Sequence, residues 1–316
     1  MSSASIKLPV SANDYAWVPQ QCPVCRSGRK KFVGYRGGEA HRQGLGVRCA
    51  IFRCAGCGLI FPDPMPIPRH GMEQHYNLNT EEYFYFHDQQ AKCAGAELAL
   101  RTAASLIGGK GRLLDVGAGR GELLRAARES GWEALGIEPS PAFAVEAERY
   151  SGSPVLRTPL DECNFPPGSF DVVILAAVLE HLYHPDETLA VVARILRKGG
   201  ALFLDVPNEA GLYFKVGNLY ERMRFSRRTV NLAPTFSPYH VFGFTPKSLR
   251  MLLASNKLEP RIWRVYAGTS ALPRRKGLFG AIEHLGARAA TMVSNFGALG
   301  TYIETWAIKT SAEEAH

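Results

Sequence analysis

Two groups of residues in this chain have the type and spacing to do chemistry. The first is a pair of Cys-x-x-Cys knuckles, "CPVC" with Cys22 and Cys25 and "CAGC" with Cys54 and Cys57. Four thiolates paired in this way can converge tetrahedrally on Zn2+. They leave no coordination position open, so the expected role is a structural staple. Gly28 and Gly58, close behind the knuckles, suit backbone that must turn around a metal. Two disulfides are disfavoured in a cytosolic chain, and a redox Cys-x-x-Cys would account for one pair only. Cys49 lies one strand from the second knuckle, but the tighter pairing favours Cys54; Cys93 and Cys163 read as isolated, buried thiols. The second group is the loop "DVGAGRG", with Asp115, Gly117, Ala118, Gly119 and Gly121, followed by Glu138 in "GIEPS".

The loop follows an apolar run and opens a helix, so backbone N–H groups at the helix start face whatever it holds. Its G-x-G-x-G spacing departs from the dinucleotide fingerprint, and no Gly-Lys-Ser/Thr follows as a phosphate-binding P-loop requires. Asp115 would repel a pyrophosphate but welcomes an ammonium group. Glu138, at the tip of the next strand, can accept hydrogen bonds from both hydroxyls of a ribose. A ribose-bearing ligand with a cationic amino-acid head satisfies both acids, and that ligand is S-adenosylmethionine. Acid–base candidates lie further along: Glu180 and His181 in "LEHLYH", and Tyr239 and His240 in "SPYHVFGFT". Each histidine has a plainer alternative, which is to brace its loop.

These groups need elements to carry them. Between the knuckles, "KFVGYR" and "VRCAIFRC" suggest the short strands of a zinc ribbon. The proline-rich "FPDPMPIPRHG" can be neither helix nor central strand and reads as a linker. "QAKCAGAELALRTAASLIGG" has helical spacing. From Arg112, apolar strands ("RLLDV", "WEALGIE", "PVLRT", "FDVVILA", "ALFLDVP") alternate with amphipathic helices, which implies a parallel sheet covered on both faces. After a long insert, Thr245 caps the helix "PKSLRMLLASN", and "RIWRVYAG" and "YIETWAIKT" close the chain as strands. An apolar helical stripe between them, from Leu278 to Phe296, reads as core or interface. The resulting plan is a zinc-ribbon module and linker over residues 1–70 and an α/β domain over 71–316, with a lid insert at about 208–240.

Residues quoted above resemble the class I S-adenosylmethionine-dependent methyltransferases across four ordered blocks: "LLDVGAGRGELL", "GWEALGIEPS", "PPGSFDVVILAAVLEHLYHPDETLAVVARILRKGGALFLDVPN" and "YHVFGFTPKSLRMLLAS". The knuckles followed by "GLIFPDPMP" resemble the N-terminal module of members that tailor sugars, polysaccharides or secondary metabolites. The resemblance implies a Rossmann-like, seven-stranded sheet whose last strand runs antiparallel. By matched position it implies that Gly117, Ala118 and Gly119 line the methionine end, with Asp115 supporting the loop. Glu138 would hold the ribose beside Pro139, Leu160 would flank the adenine, and Ala176 would sit near the sulfonium. Many members carry an acid just before that leucine; here Pro159 stands there, which turns attention to Asp161. Glu180 and His181 match a Glu-His pair of zinc-bearing sugar C-methyltransferases, whose preceding tyrosine is Val178 here. Tyr83, Tyr85 and His87 would close the other side of the cofactor.

Bulk composition bounds the rest. Hydrophobic content of 46% and charged content of 21% suit a chain with a proper core. No apolar run is long enough to span a bilayer, and the N-terminus lacks a signal peptide's pattern, so the expected compartment is the cytoplasm. The net charge of +8 gathers partly in "RSGRKK", "ERMRFSRR" and "PRRKG". Such clusters are solvated surface or attract an anionic substrate, a nucleic acid or a membrane. No aromatic-interleaved basic stripe favours nucleic acid. The arginines 222, 224, 227 and 228 would make the lid suit an anionic small molecule. The leading expectation is methyl transfer to a sugar, glycan or secondary metabolite; the alternative is an RNA methyltransferase that grips RNA with the ribbon and basic clusters.

Overall fold

The computed structural model describes residues 12–41, 44–69, 89–232, 240–267 and 299–310. Tyr83, Tyr85, His87, Tyr239, the basic run 273–277 and the stripe from Leu278 to Phe296 lie outside the described residues.

Strand–helix alternation becomes a seven-stranded sheet. β6 (Arg112–Val116), β7 (Glu133–Ile137), β8 (Val155–Leu156), β9 (Phe170–Ala176), β10 (Leu196–Pro207), β11 (Leu258–Tyr266) and β12 (Tyr302–Lys309) are ordered β11-β12-β10-β9-β6-β7-β8. β6 through β10 pair in parallel and β12 runs antiparallel to both neighbours. The central strands are apolar on both faces because both faces are covered: Leu113 and Val172 pack with one helical layer, Leu114 and Val173 with the other. Each such side chain stabilises the fold by about 1.5–3 kcal/mol on burial.

The helices are α1 (Gln89–Ile107), α2 (Glu122–Glu129), α3 (Pro141–Ser151), α4 (Pro185–Ile195), α5 (Leu212–Met223) and α6 (Pro246–Ser255). Their ends follow local rules. The Ser140 hydroxyl accepts from Phe143 N ahead of Pro141, and Thr245 and Ser248 form a reciprocal capping box ahead of α6.

The knuckled segment forms its own antiparallel sheet of β2 (Lys30–Arg36), β3 (Cys49–Cys54) and β4 (Ile60–Pro62); β1 (Tyr15–Val18) pairs with β5 (Met65–Pro68). The expected linker is therefore largely strand. Proline is tolerated because β4 is an edge strand whose outer bonds, between Ile60 and Gly243, spare Pro62, and β5 pairs with β1 alone, so missing N–H donors interrupt no central ladder. The ribbon also shares a core with the large sheet: Leu59 and Phe61 pack in one apolar cluster with Phe242, Phe244 and Leu249.

Candidate functional site

A cleft of about 200 Å3 opens at the C-terminal tips of β6, β7 and β9. Such a place at a parallel sheet's strand tips is where α/β folds bind ligands. Gly117, Gly119, Glu138, Pro139, Leu160, Ala176 and His181 all line it.

The glycine loop owes its shape to positive φ at Gly117 (76°), Gly119 (55°) and Gly121 (90°). A Cβ on Gly117 would meet Val178 Cγ2 at 2.6 Å, and one on Gly121 would meet the Ala147 carbonyl oxygen at 2.9 Å. At Gly119 a Cβ would meet nothing within 4 Å. That glycine is the one left open to a ligand. Glu138 ties the loop to the next strand: its carboxylate accepts from Gly119 N and from Ser140 N, each at 3.0 Å. Each oxygen keeps a lone pair for a further donor, so the acid that shapes the loop can also receive a diol.

Two expected cofactor residues do not themselves line the cleft. Ala118 does not line the cleft; its side chain packs with Leu124, Ala144, Ala147 and Val155, because the left-handed glycines on either side turn it toward the helices. Asp115 also stays below the cleft surface. Burial first, then the charges of Glu138 and Glu122, push its carboxyl up to about 7. Asp161 does line the cleft, two residues past Pro159. Sequence reasoning missed Val116, Ile137, Phe143, Ala177 and Thr188 as wall residues. Ala177 carried no signal of its own, yet it sits at φ 54° at the tip of β9, held by its N–H to the Asp205 carbonyl. A left-handed non-glycine residue at a strand tip is a common mark of a functional turn.

The acid–base candidates do converge. Glu180, His181 and His240 each offer an N or O atom within 4.8 Å of the others. The two imidazole rings meet edge to face, centroids 4.9 Å apart. Glu180 Oε2 and His240 Nδ1 are buried without a hydrogen-bond partner among the described residues. Burial first, then the nearby Asp205 and Glu209 charges, raise the Glu180 carboxyl to about 8. Burial, then His181 and Arg36, hold His240 well below the usual imidazole range. The carboxyl therefore keeps its proton at neutral pH while His240 stays neutral, so one is a hydrogen-bond donor and the other an acceptor.

Among the described residues of the insert, 208–232, none lines this cleft. Tyr35 N donates to Arg227 O at 2.8 Å, Thr229 N donates to Tyr35 O at 3.0 Å, and Arg36 donates to Leu232 O. Glu209, buried and raised to about 7, accepts from Asn231 Nδ2 at 2.6 Å and Leu232 N at 3.1 Å. The expected lid is instead clamped to the ribbon by β2.

The four knuckle cysteines fit a closed metal site. Cys22 and Cys57 sulfurs lie 3.4 Å apart, as do those of Cys25 and Cys54, and all four fall within 4.8 Å of one another. A tetrahedral Zn2+ with Zn–S bonds of about 2.3 Å wants sulfurs about 3.8 Å apart. Although burial opposes it, the backbone N–H of Cys57 and the Cys25 thiol bring Cys54 down to about 7, toward the thiolate that a metal needs. The knuckles are alike. Arg26 N donates to Cys22 O and Gly58 N to Cys54 O, with Arg26 at φ 56° and Gly58 at φ 83°. Arg26, and not Gly28, makes the first left-handed turn. Cys49 stands apart, its sulfur on Val47 O, and Cys93 and Cys163 are half-buried rather than core.

Parallel-sheet topology, a glycine loop and an acid at the second strand tip together define an S-adenosylmethionine-dependent methyltransferase. The chain belongs to the family whose model, described as "Methyltransferase domain", matches residues 85–260. It is 32% identical over 148 residues to a ubiquinone biosynthesis O-methyltransferase of Methylococcus capsulatus, covering 44% of this chain and 62% of that protein. It is 27% identical over 157 residues to the mitochondrial ubiquinone biosynthesis O-methyltransferase of Homo sapiens, covering 47% and 41%. The chain thus spans less than two thirds of the length of either relative. A SAM dependent methyltransferase from Archaeoglobus fulgidus superimposes with a TM-score of 0.50 at 19% identity, over 72% of this chain and 99% of that one, a likeness of fold.

Proposed function

We propose that this enzyme methylates a hydroxyl of a small molecule, with His181 as general base and Glu180 and His240 as its orienting partners. The observation that carries the reading is the placement of His181: it lines the cleft and touches His240. Beside it lie two buried polar atoms without partners. Of the three, His181 alone lines the cleft, so a substrate hydroxyl donates to it, while the Glu180 side chain and His240 Nδ1 stay buried against it.

When bound, S-adenosylmethionine supplies an electrophilic methyl group. Glu138 would hold the ribose, the open space at Gly119 would admit the amino-acid end, Leu160 and Asp161 would flank the adenine, and Ala176 would stand near the sulfonium. His181 accepts the hydroxyl proton as the oxygen gains the methyl. His240, neutral and buried, leaves that proton to its neighbour. Zn2+ is proposed as a structural ion on Cys22, Cys25, Cys54 and Cys57.

The relatives act, by name, in ubiquinone biosynthesis, which supports O-methylation and lends nothing to a sugar or glycan acceptor. The arginines expected to grip an anionic substrate or RNA lie away from the cleft. The test supplies the protein with methyl-labelled S-adenosylmethionine and fractions of a cell extract, locating the label by mass spectrometry. Label on the oxygen of a small molecule is expected, and His181→Ala should slow its appearance by about 100- to 10,000-fold. Label on nitrogen or carbon, or an undiminished rate in the variant, refutes the reading.

A further inference from the structure

Helix α5 buries Phe214 but carries a row of other apolar side chains outward. Tyr213, Val216, Leu219 and Met223 are 38%, 48%, 56% and 64% exposed, and Phe225, just past the helix, is 97% exposed. The first four recur at helical spacing and form one stripe. A contiguous exposed row of this kind marks a binding surface. Lys215, Arg222, Arg224, Arg227 and Arg228 lie on α5 or just past it, all exposed; none makes an ion pair among the described residues, and Arg228 donates to Glu39 O. The local acid, Glu221, is buried.

The helix end adds a second observation. Ser226 N donates to Glu221 O and Phe225 N donates to Arg222 O, the two bonds of a Schellman motif. Its left-handed position normally belongs to glycine, yet Phe225 occupies it at φ 55°. The fold accepts a strained backbone in order to hold an aromatic ring out in solvent.

We propose that α5 and Phe225 dock this enzyme on an anionic lipid bilayer, with the apolar row entering the headgroup–acyl boundary and the basic side chains facing lipid phosphates. Charge decides among the possible occupants. In a symmetric dimer the patch would face itself and set basic side chains against basic side chains. A nucleic acid would match the charge but leave Val216, Leu219 and Met223 without apolar partners. An anionic bilayer meets both needs at once. The proposal stands whichever acceptor is methylated.

Co-sedimentation of the full chain with vesicles tests it. Vesicles of phosphatidylcholine mixed with phosphatidylserine should bind the protein, vesicles of phosphatidylcholine alone should not, and added salt should weaken the binding. Phe225→Asn with Met223→Gln should lower partitioning by about tenfold or more. Asn tolerates the left-handed backbone, and S-adenosylmethionine binding by calorimetry should persist, showing that the variant is folded. Arg222→Glu with Arg224→Glu should lower partitioning by about fivefold per residue. Equal binding to both vesicle types, or partitioning unmoved by either pair of substitutions, overturns the proposal. So does a variant whose only change is loss of a dimer in sedimentation velocity.

Discussion

Glu138 holds the loop amides of Gly119 and Ser140 and faces the cleft, so removing its carboxylate acts twice. Glu138→Ala should weaken S-adenosylmethionine binding, measured by calorimetry, by at least about tenfold, since hydrogen bonds to charged groups are worth roughly 1.5–3 kcal/mol each. An unchanged affinity would remove Glu138 from the site. Glu180 makes a prediction about pH. Its folded carboxyl, near 8, holds a proton more tightly than the unfolded chain does. The stability from that proton is complete below the unfolded carboxylate range of about 4.3 and is lost as pH climbs through 8. Glu180→Gln cannot ionise, so its melting temperature should gain on the native enzyme's progressively between these limits. A constant offset across the range would show that Glu180 is already ionised in the fold. At this scale the sequence was informative where chemistry needs one residue type. The four knuckle cysteines, Glu138 and the loop glycines stood out from spacing alone. Ala118 was expected at the cleft from the resemblance, while its side chain packs with Leu124 and Ala147, a direction set by the left-handed glycines beside it.

Elements decide whether the acid–base group stays assembled. The segment carrying His240 continues through Val241, whose N–H donates to Glu180 O at 2.7 Å, to Gly243, which exchanges two backbone hydrogen bonds with Ile60. Thr245 and Lys247 then bond the carbonyls of Cys57 and Gly56 in the second knuckle. Whatever stiffens that knuckle therefore stiffens the loop beneath the cleft. If the knuckles hold the proposed Zn2+, a chelator should raise hydrogen exchange at residues 54–60 and 240–245 and abolish turnover. Amides of β6 should remain protected and S-adenosylmethionine affinity nearly intact. Simultaneous exchange throughout the sheet would show instead that the ribbon supports the entire fold. Periodicity located the strands and helices from Arg112 to Pro207 and the closing helix and strands, while β1 and α5 passed unread. β4 and β5 escaped because proline statistics speak against strands in general and cannot see that these two lie at sheet edges.

For the whole molecule, the shared core has a consequence for how the parts move. Leu59 and Phe61 pack directly against Phe242 and Phe244. The ribbon is thus a wall of the enzyme, and residues 227–232 of the insert are bonded to it through Tyr35 and Arg36. α5, which leads into that bonded segment, keeps Tyr213, Val216, Leu219 and Met223 exposed.

By itself the sequence determined the methyl donor, the parallel sheet and the cysteine set. Those depend on local rules: glycine where φ is positive, a carboxylate at a strand tip, apolar runs where both faces are buried. Only the tertiary structure decided which residues from separate segments meet. It set His240 against His181 and Glu180, brought the second knuckle beneath α6, and bonded residues 227–232 of the insert to the ribbon. Such meetings arise from packing between segments far apart in the chain, and no spacing along one segment encodes them.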